Sequence, residues 1–478
     1  MATTTTTTTT IINLSSLDGN NGFRLDGTAY DGAGSVSNAG DVNSDGFADL
    51  IVGASGADPN GDFSGSSYVV FGKAAGFDAT TDLSSLDGNN GFRLDGVATA
   101  DLLGISVSSA GDVNGDGIAD VIVGASGADP NGTLSAGSSY VVFGKVAGFD
   151  ATLDLSSLDG SNGLRLDGVA AGDRAGFPVS GAGDVNGDGI ADVIVGASGA
   201  DPNGTLSAGS SYVVFGKASG FSATLDLSSL DGNNGFRLDG TAIFDLSGFS
   251  VSNAGDVNGD GFADVIIGAQ QADVNGYDSA GSSYVVFGKA SGFDAALDLS
   301  SLDGSNGFRL DGAADNFSGN SVSSAGDING DGFADLIVGA FASNPNGAAS
   351  GSSYVVFGKA SGFDATLDLS SLDGNNGFRL DGAAAYDYSG TVSSAGDVNG
   401  DGFADLIVGA IGADSNGNNS GSSYVVFGKA AGFSATLDLS SLDSNDGFRL
   451  DGAEQRRMIK QALRSAVQAM STATVLPM

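Results

Sequence analysis

The chain has 478 residues, of which 80 are Gly and 57 are acidic against 18 Lys or Arg, giving a formal charge of −39. It contains no Cys and no His, which excludes disulfide frameworks, thiolate or imidazole metal sites and every catalytic pair built on a Ser–His or Cys–His contact. So much negative charge repels phosphate backbones and anionic bilayers, so neither nucleic acid nor membrane insertion is expected, and a cation is the natural partner.

The acid is almost all of one kind, because Glu454 is the single glutamate. Asp with Gly and Asn is the chemistry of turns, not of helices. Hydrophobic residues make up 41% of the chain, enough for a core, and no apolar run approaches the roughly 20 residues of a membrane span. The chain starts with a Thr-rich tail over residues 1–10 that lacks the basic and apolar regions of a secretory leader, so no export route is visible.

Residues 11–452 are dominated by an internal repeat. The segment GDVNGDG, or a close variant, places its first Asp at 41, 112, 184, 256, 327 and 397; SSYVVFGK ends at Lys73, Lys145, Lys217, Lys289, Lys359 and Lys429. A third phrase, GFRLDG (GLRLDG once), carries Arg24, Arg93, Arg165, Arg237, Arg309, Arg379 and Arg449, one copy more than the others. Each repeat reads as four short strands. In the second, these are a small-residue strand before Asp112, the apolar run 119–125, SYVVF at 139–143 and FRL at 92–94. Asp-Gly and Asn-Gly steps in the connection DLSSLDGNNG mark turns. Four antiparallel strands per unit at regular spacing predict an all-β fold, a β-propeller, in which radial repetition leaves only short, protected sheet edges.

The loop after each first strand has the form D-x-N-x-D-G-x-x-D. Oxygen donors stand at positions 1, 3, 5 and 9, and position 7 offers its carbonyl while its side chain packs inward. The six sets are Asp41, Asn43, Asp45, Phe47 and Asp49; Asp112, Asn114, Asp116, Ile118 and Asp120; Asp184, Asn186, Asp188, Ile190 and Asp192; Asp256, Asn258, Asp260, Phe262 and Asp264; Asp327, Asn329, Asp331, Phe333 and Asp335; and Asp397, Asn399, Asp401, Phe403 and Asp405. Hard oxygens around a Gly-enabled turn suit the flexible six- to eight-oxygen shell of Ca²⁺ better than the rigid octahedron of Mg²⁺, so about six calcium ions per chain are expected. Carboxylates about 5 Å apart repel by about 3 kcal/mol per pair at an effective dielectric near 20, a load that a cation removes. The alternative is that the clusters are turns and nothing more. Position 12 is apolar (Val52, Val123) where an EF-hand needs Glu, so these are hairpin loops.

The string SVSSAGDVNGDGIADVIVGAS at 106–126, with its counterparts, resembles the FG-GAP repeat of integrin α-chain β-propellers and of bacterial integrin-like proteins. The resemblance runs over residues 12–452. It departs from the family where the Pro of the GAP triplet is replaced (Gly124-Ala125-Ser126, Gly268-Ala269-Gln270) and where the Phe-Gly pair before the first strand is mostly absent. Such propellers usually have seven blades, whereas the loops here predict six, with an incomplete seventh as the alternative. An N-terminal strand, Ile11 to Leu25, is expected to close the last blade beside Tyr424–Phe427, which leaves one fourth strand spare.

The resemblance implies a calcium-binding, extracellular or cell-surface adhesion scaffold that takes a protein or carbohydrate ligand on the face opposite the calcium loops, with no catalytic residues. An extracellular hydrolase acting on a glycan or phosphodiester is the alternative. The expected binding face carries Tyr30 and Asp31; Asp101, Leu102 and Leu103; Asp173, Arg174 and Phe177; Ile243, Phe244 and Asp245; Asn316 and Phe317; and Tyr386, Asp387 and Tyr388. These residues either form a ligand anchor or plug the core. The repeated Arg is expected to pair with a nearby Asp, and Asp87, Asn89 and Asn90 to form a plain turn in preference to a second ion site. Residues 453–478 are basic, with Met458, Ile459, Ala462, Leu463, Ala466 and Val467 at helical spacing, which predicts a short C-terminal helix.

Overall fold

The computed structural model describes residues 10–452 apart from 275, 291, 314 and 315, so the helix expected over 453–478 lies outside the described residues. The described residues form six β-blades and, among them, no long helix, only three-residue 3₁₀ turns. In the second blade the antiparallel order from the centre outward is Val107–Gly111, Asp120–Ala125, Ser138–Val142 and Gly163–Asp167. Tyr140 lies opposite Val123 on one side and Arg165 on the other. The apolar second strand is buried along its whole length, as the unbroken DVIVGA run requires of a strand packed on both faces.

Every blade also carries a fifth strand, which in the first five comes from the connection between the third and fourth strands of the following blade. The three residues Thr152–Asp154 pair in parallel with Gly91–Asp95 of the first blade, although they lie in the connection between the third and fourth strands of the second. The same reach recurs from Thr224–Asp226, Ala296–Asp298, Thr366–Asp368 and Thr436–Asp438, so each blade's outer edge is latched by its successor. A 3₁₀ turn follows each latch: the Asp154 carboxylate accepts the Ser156 N–H at 2.8 Å, and the Asn162 side chain accepts the Asp159 N–H at 3.0 Å. The Asn90 side chain likewise accepts the Asp87 N–H, so the residues weighed above as a second ion site are engaged in closing a hairpin.

The N-terminal segment does not take the place expected of it. Thr10–Asn13 pairs in parallel with Gly447–Asp451, the fourth strand of the sixth blade, and not beside Tyr424–Phe427. The physical reason is that the inner edge of Gly447–Asp451 is already filled by Ser422–Val426, which leaves only its outer edge for the latch. The spare copy, Arg24–Asp26, pairs with Thr80–Asp82 as a two-stranded rim.

Apolar clusters weld neighbouring blades. Between the first and second, Ile51, Val69, Phe71 and Phe92 meet Val107, Val121, Val123 and Tyr140. Four further clusters join blades two to three, three to four, four to five and five to six. Close approach at the centre depends on Gly: a Cβ at Gly124 would stand 1.9 Å from the Gly176 carbonyl of the next sector.

Candidate metal centre

The six acidic loops share one backbone geometry, built by the very side chains that were expected to bind metal. In the second blade the two Asp112 oxygens accept N–H groups of Asp116 (3.0 Å) and Gly117 (2.7 Å). Asn114 accepts Asp116 N–H at 2.9 Å, and Asp116 accepts Ile118 N–H at 2.9 Å. The same bonds recur around Asp41, Asp184, Asp256, Asp327 and Asp397. Positions 1, 3 and 5 thus wrap a turn by accepting its peptide N–H groups, and in four loops the position 3 amide also donates to the second oxygen of position 5.

Position 9 is different. Asp120 is fully buried; one oxygen accepts Val113 N–H at 2.9 Å and the other accepts Gly144 N–H at 2.8 Å, tying the loop to the end of the third strand. Asp49, Asp192, Asp264, Asp335 and Asp405 make the equivalent pair of bonds. Burial pushes the acid of Asp120, Asp192, Asp264 and Asp335 up to about 7 and that of Asp49 to about 6. The two N–H bonds oppose that rise, and the charges at positions 5 and 1 add to it.

Among the described residues no three acidic side chains converge into a formed metal site. The donor chemistry nevertheless fits a hard cation: positions 1, 3 and 5 have lone pairs to spare, the position 7 carbonyl is close by in sequence, and position 9 is a buried carboxylate, disfavoured in its charged form at Asp49, Asp120, Asp192, Asp264 and Asp335. A bound cation would supply the positive charge that this group lacks. The set that would hold it in the second blade is Asp112, Asn114, Asp116, Asp120 and the Ile118 carbonyl.

The loops are also coupled around the array, which the sequence reading missed. The Asp112 carbonyl accepts Ala191 N–H of the next blade at 3.0 Å, and the Val113 carbonyl accepts Lys217 N–H at 3.0 Å. Position 7 reaches across the same junction: a Cβ on Gly187, position 4 of the third loop, would meet the Phe262 ring at 2.2 Å. Gly at position 4 above a bulky position 7 in the next repeat was the available signal. Of the repeated cations, Lys145 lies over the Phe149 ring at 4.7 Å, and Arg237 holds Asp239 with two bonds of 2.6 and 2.7 Å. Both are committed to the fold.

On the opposite face the loops from fourth to first strands divide into two groups. Asp101, Asp173, Asp245 and Asp387 are buried and accept N–H groups of their own turns, from Ala98, Ala170, Ala242 and Ala384. Leu103 is buried, while Phe177 packs on Phe249 and Phe317 on Phe341, so these residues fill gaps between sectors. Tyr30, Ile243, Phe244 and Tyr386 stand exposed, and three of them, Tyr30, Phe244 and Tyr386, occupy the residue before the turn acid at φ of 78°, 65° and 66°. Arg174, Phe177, Leu246 and Phe249 line a cavity of about 590 Å³ on this face.

The FG-GAP repeat family matches residues 32–70, 103–142, 179–214, 247–286, 318–356 and 389–426. Each match spans the first three strands of a blade together with its acidic loop. Integrin alpha-4 of Xenopus laevis is 32% identical over 164 residues, 34% of this chain and 14% of that protein. Integrin alpha-PS5 of Drosophila melanogaster is 33% identical over 181 residues, 37% of this chain and 16% of that protein. Phosphatidylinositol-glycan-specific phospholipase D of Bos taurus is 30% identical over 167 residues, 35% of this chain and 18% of that protein. The matched part therefore spans less than a fifth of each relative's length. With one such repeat supplying the inner strands of every blade, the chain belongs to the FG-GAP repeat β-propeller proteins and is integrin-alpha-like.

Proposed function

We propose that this propeller is a calcium-stabilised scaffold of the cell exterior that holds a protein or carbohydrate ligand on the face opposite its acidic loops. The observation that carries this reading is the division of labour between the two faces. The loop residues are repeated six times and bonded into the fold, whereas the exposed bulky groups of the other face differ from blade to blade. Bulky residues held at positive φ cost roughly 1–3 kcal/mol each, a strain that clusters at ligand-holding positions. External calcium is millimolar, enough to fill loops with dissociation constants on the order of 10⁻⁴ to 10⁻³ M. Similarity to two integrin alpha chains supports the adhesive reading.

The test is ligand capture on protein and glycan arrays with calcium and with chelator. Calcium-dependent capture that is abolished by the combined Tyr30→Ala, Phe244→Ala and Tyr386→Ala substitutions, with the melting temperature unchanged, is the expected result. Capture that survives all three substitutions would remove the binding face from the reading. A second reading, a hydrolase of glycans or phosphodiesters, draws on the similarity to the bovine phospholipase D. Turnover of such substrates abolished by a single non-repeated substitution would install it in place of the first.

A further inference from the structure

The repeated cations of the array are all engaged. Each Arg of the repeat holds the Asp two residues further on, and each Lys that ends SSYVVFGK lies over a Phe ring. Arg174 is the exception. Among the described residues it is the one basic side chain with no ion pair, no side-chain hydrogen bond and no ring beneath it. Its place in the repeat belongs elsewhere to apolar groups. The same turn position is held at positive φ in five sectors: Leu102 at 59°, Arg174 at 57°, Leu246 at 55°, Phe317 at 53° and Tyr388 at 51°. Leu102, Leu246, Phe317 and Tyr388 are half-buried, whereas Arg174 is exposed. The backbone is the same in all five, so Arg changes the chemistry of the spot and not its shape.

The turn that carries Arg174 is firmly placed. Gly172, Arg174 and Ala175 donate their N–H groups to the carbonyls of Leu134, Ser135 and Ala136 at 3.0, 3.1 and 2.9 Å. The acids of the adjoining loops are directed to other donors: Asp173 accepts Ala170 N–H, Asp129 accepts Ser135 N–H and Asp201 accepts Ser207 N–H. The guanidinium therefore opens, unpaired, onto the cavity of about 590 Å³ that Leu134, Phe177, Leu246 and Phe249 also line. The rings of Phe177 and Phe249 lie 5.5 Å apart and are only half-buried. An apolar cleft of roughly 300–1,000 Å³ with a few polar groups to fix orientation is the usual form of a ligand site.

We infer that this cavity binds a polypeptide segment through one carboxylate side chain, Asp or Glu, next to a bulky apolar residue. The carboxylate meets the Arg174 guanidinium, and the apolar side chain enters beside Phe177 and Phe249. This inference rests on the reading of this face as ligand-holding and gives that ligand a chemistry. Three considerations select it. A guanidinium presents paired N–H donors that match the two oxygens of a carboxylate. A chain at −39 repels an extended polyanion, which leaves a single acid as the fitting anion. A sugar ring buries several hydroxyls, each in need of a partner, but beside Arg174 the cavity offers only the side-chain hydroxyls of Ser135, Ser198 and Ser207.

The test uses the full-length chain in calcium buffer. The probe is a high-density array of peptides acetyl-Ser-Gly-X-Z-Gly-Ser, with Asp, Glu, Asn, Gln or Lys at X and Phe, Leu or Ser at Z, beside an array of uronate- and sialate-bearing glycans. Peptides with an acid at X and Phe or Leu at Z should retain the protein at least tenfold better than their Asn or Gln counterparts. Because the whole chain repels acids, that order runs against its bulk charge and reports a local cation. Arg174→Leu, which installs the residue found at 102 and 246, and Arg174→Gln should each leave the melting temperature unchanged and abolish the preference for the acid. Phe249→Leu should weaken the preference for Phe at Z and keep that for the acid. Equal retention of acid and amide peptides, or an acid preference that survives both Arg174 substitutions, would overturn the inference. Arg174-dependent retention of the acidic glycans without any peptide preference would overturn it in favour of an acidic sugar. Should the acidic peptides fail while the Tyr30, Phe244 and Tyr386 substitutions still abolish capture of another ligand, the cavity assignment falls alone. Capture indifferent to both sets of substitutions would remove the face as well.

Discussion

At the scale of single residues, the acidic loop divides into groups that shape it and one group that anchors it. Asp116 is exposed and bonds only within its own turn. Asp120 is buried and satisfies two N–H donors from different segments. Asp116→Ala should therefore leave a folded chain that binds about one calcium fewer, read by metal counting on the purified protein; undiminished stoichiometry would remove the loops from the metal reading. Asp120→Ala should cost about 2–5 kcal/mol even with chelator present, because two buried donors lose their acceptor, and denaturant unfolding would measure it. The raised acids give a pH dependence with a definite sign. A carboxyl near 7 in the folded chain and near 3.8 unfolded binds its proton more tightly when folded, so its contribution is fully present below pH 3.8 and is lost as pH rises through 7. In chelator the melting temperature should fall between pH 4 and 7, reinforced by self-repulsion of a chain at −39. Saturating calcium, which favours the ionised form, should flatten or reverse that slope; identical profiles with calcium and with chelator would show that no cation meets these carboxylates.

At the scale of the element, the repeat period revealed four antiparallel strands per blade because each carries a strong local pattern, but it grouped FRL at 92–94 with the second blade, whereas Gly91–Asp95 is the fourth strand of the first and Gly163–Asp167 that of the second. The parallel latch was not legible for two physical reasons: Thr152–Asp154 is only three residues long, and its partner Gly91–Asp95 lies some 60 residues away in another blade. A lone T-L-D between turn signals has no periodicity to read. The acidic loop was legible as a motif, but the role of position 9 as a buried staple was not, since one letter, Asp, serves both a metal ligand and an acceptor of two peptide bonds. The position 4 glycines carry a test of the coupling between blades. Gly187 and Gly400 have nearly the same left-handed backbone, φ of 73° and 75°, but only Gly187 lies against a ring, that of Phe262. Ala at either site pays the conformational cost, about 1–2 kcal/mol. Gly187→Ala must also displace the ring and should cost about 1–3 kcal/mol more. Pairing Gly187→Ala with Phe262→Leu should recover part of that difference, whereas Phe262→Leu should not interact with Gly400→Ala. Equal costs at the two glycines would mean that the loops are independent.

At the scale of the whole molecule, the described chain is a row of blades in which each touches only its neighbours, so its stability is set by nearest-neighbour junctions. A closed ring of equivalent blades has no weakest member, but a row frays from its ends. The sixth blade shows the signature at rest: Ile407 is half-buried where Ile122, Ile194, Ile266 and Ile337 are fully buried. Its latch, Thr10–Asn13, rests on four paired residues. Hydrogen exchange should therefore run as a gradient, with amides of Ser422–Val426 and Asp405–Ala410 exchanging at least tenfold faster than those of Ser210–Val214 and Asp192–Ala197 in the third blade. Deleting residues 1–26 removes both the latch and the Arg24–Asp26 rim, so it should accelerate exchange in the first and sixth blades and leave the third and fourth unchanged. That selectivity separates fraying from global destabilisation, which would raise exchange in all six blades by the same factor. Uniform protection in the intact chain would instead require a weld between the first and sixth blades equal to the other five, and would contradict the exposure of Val36 and Val398, whose counterparts Val107 and Val113 are buried.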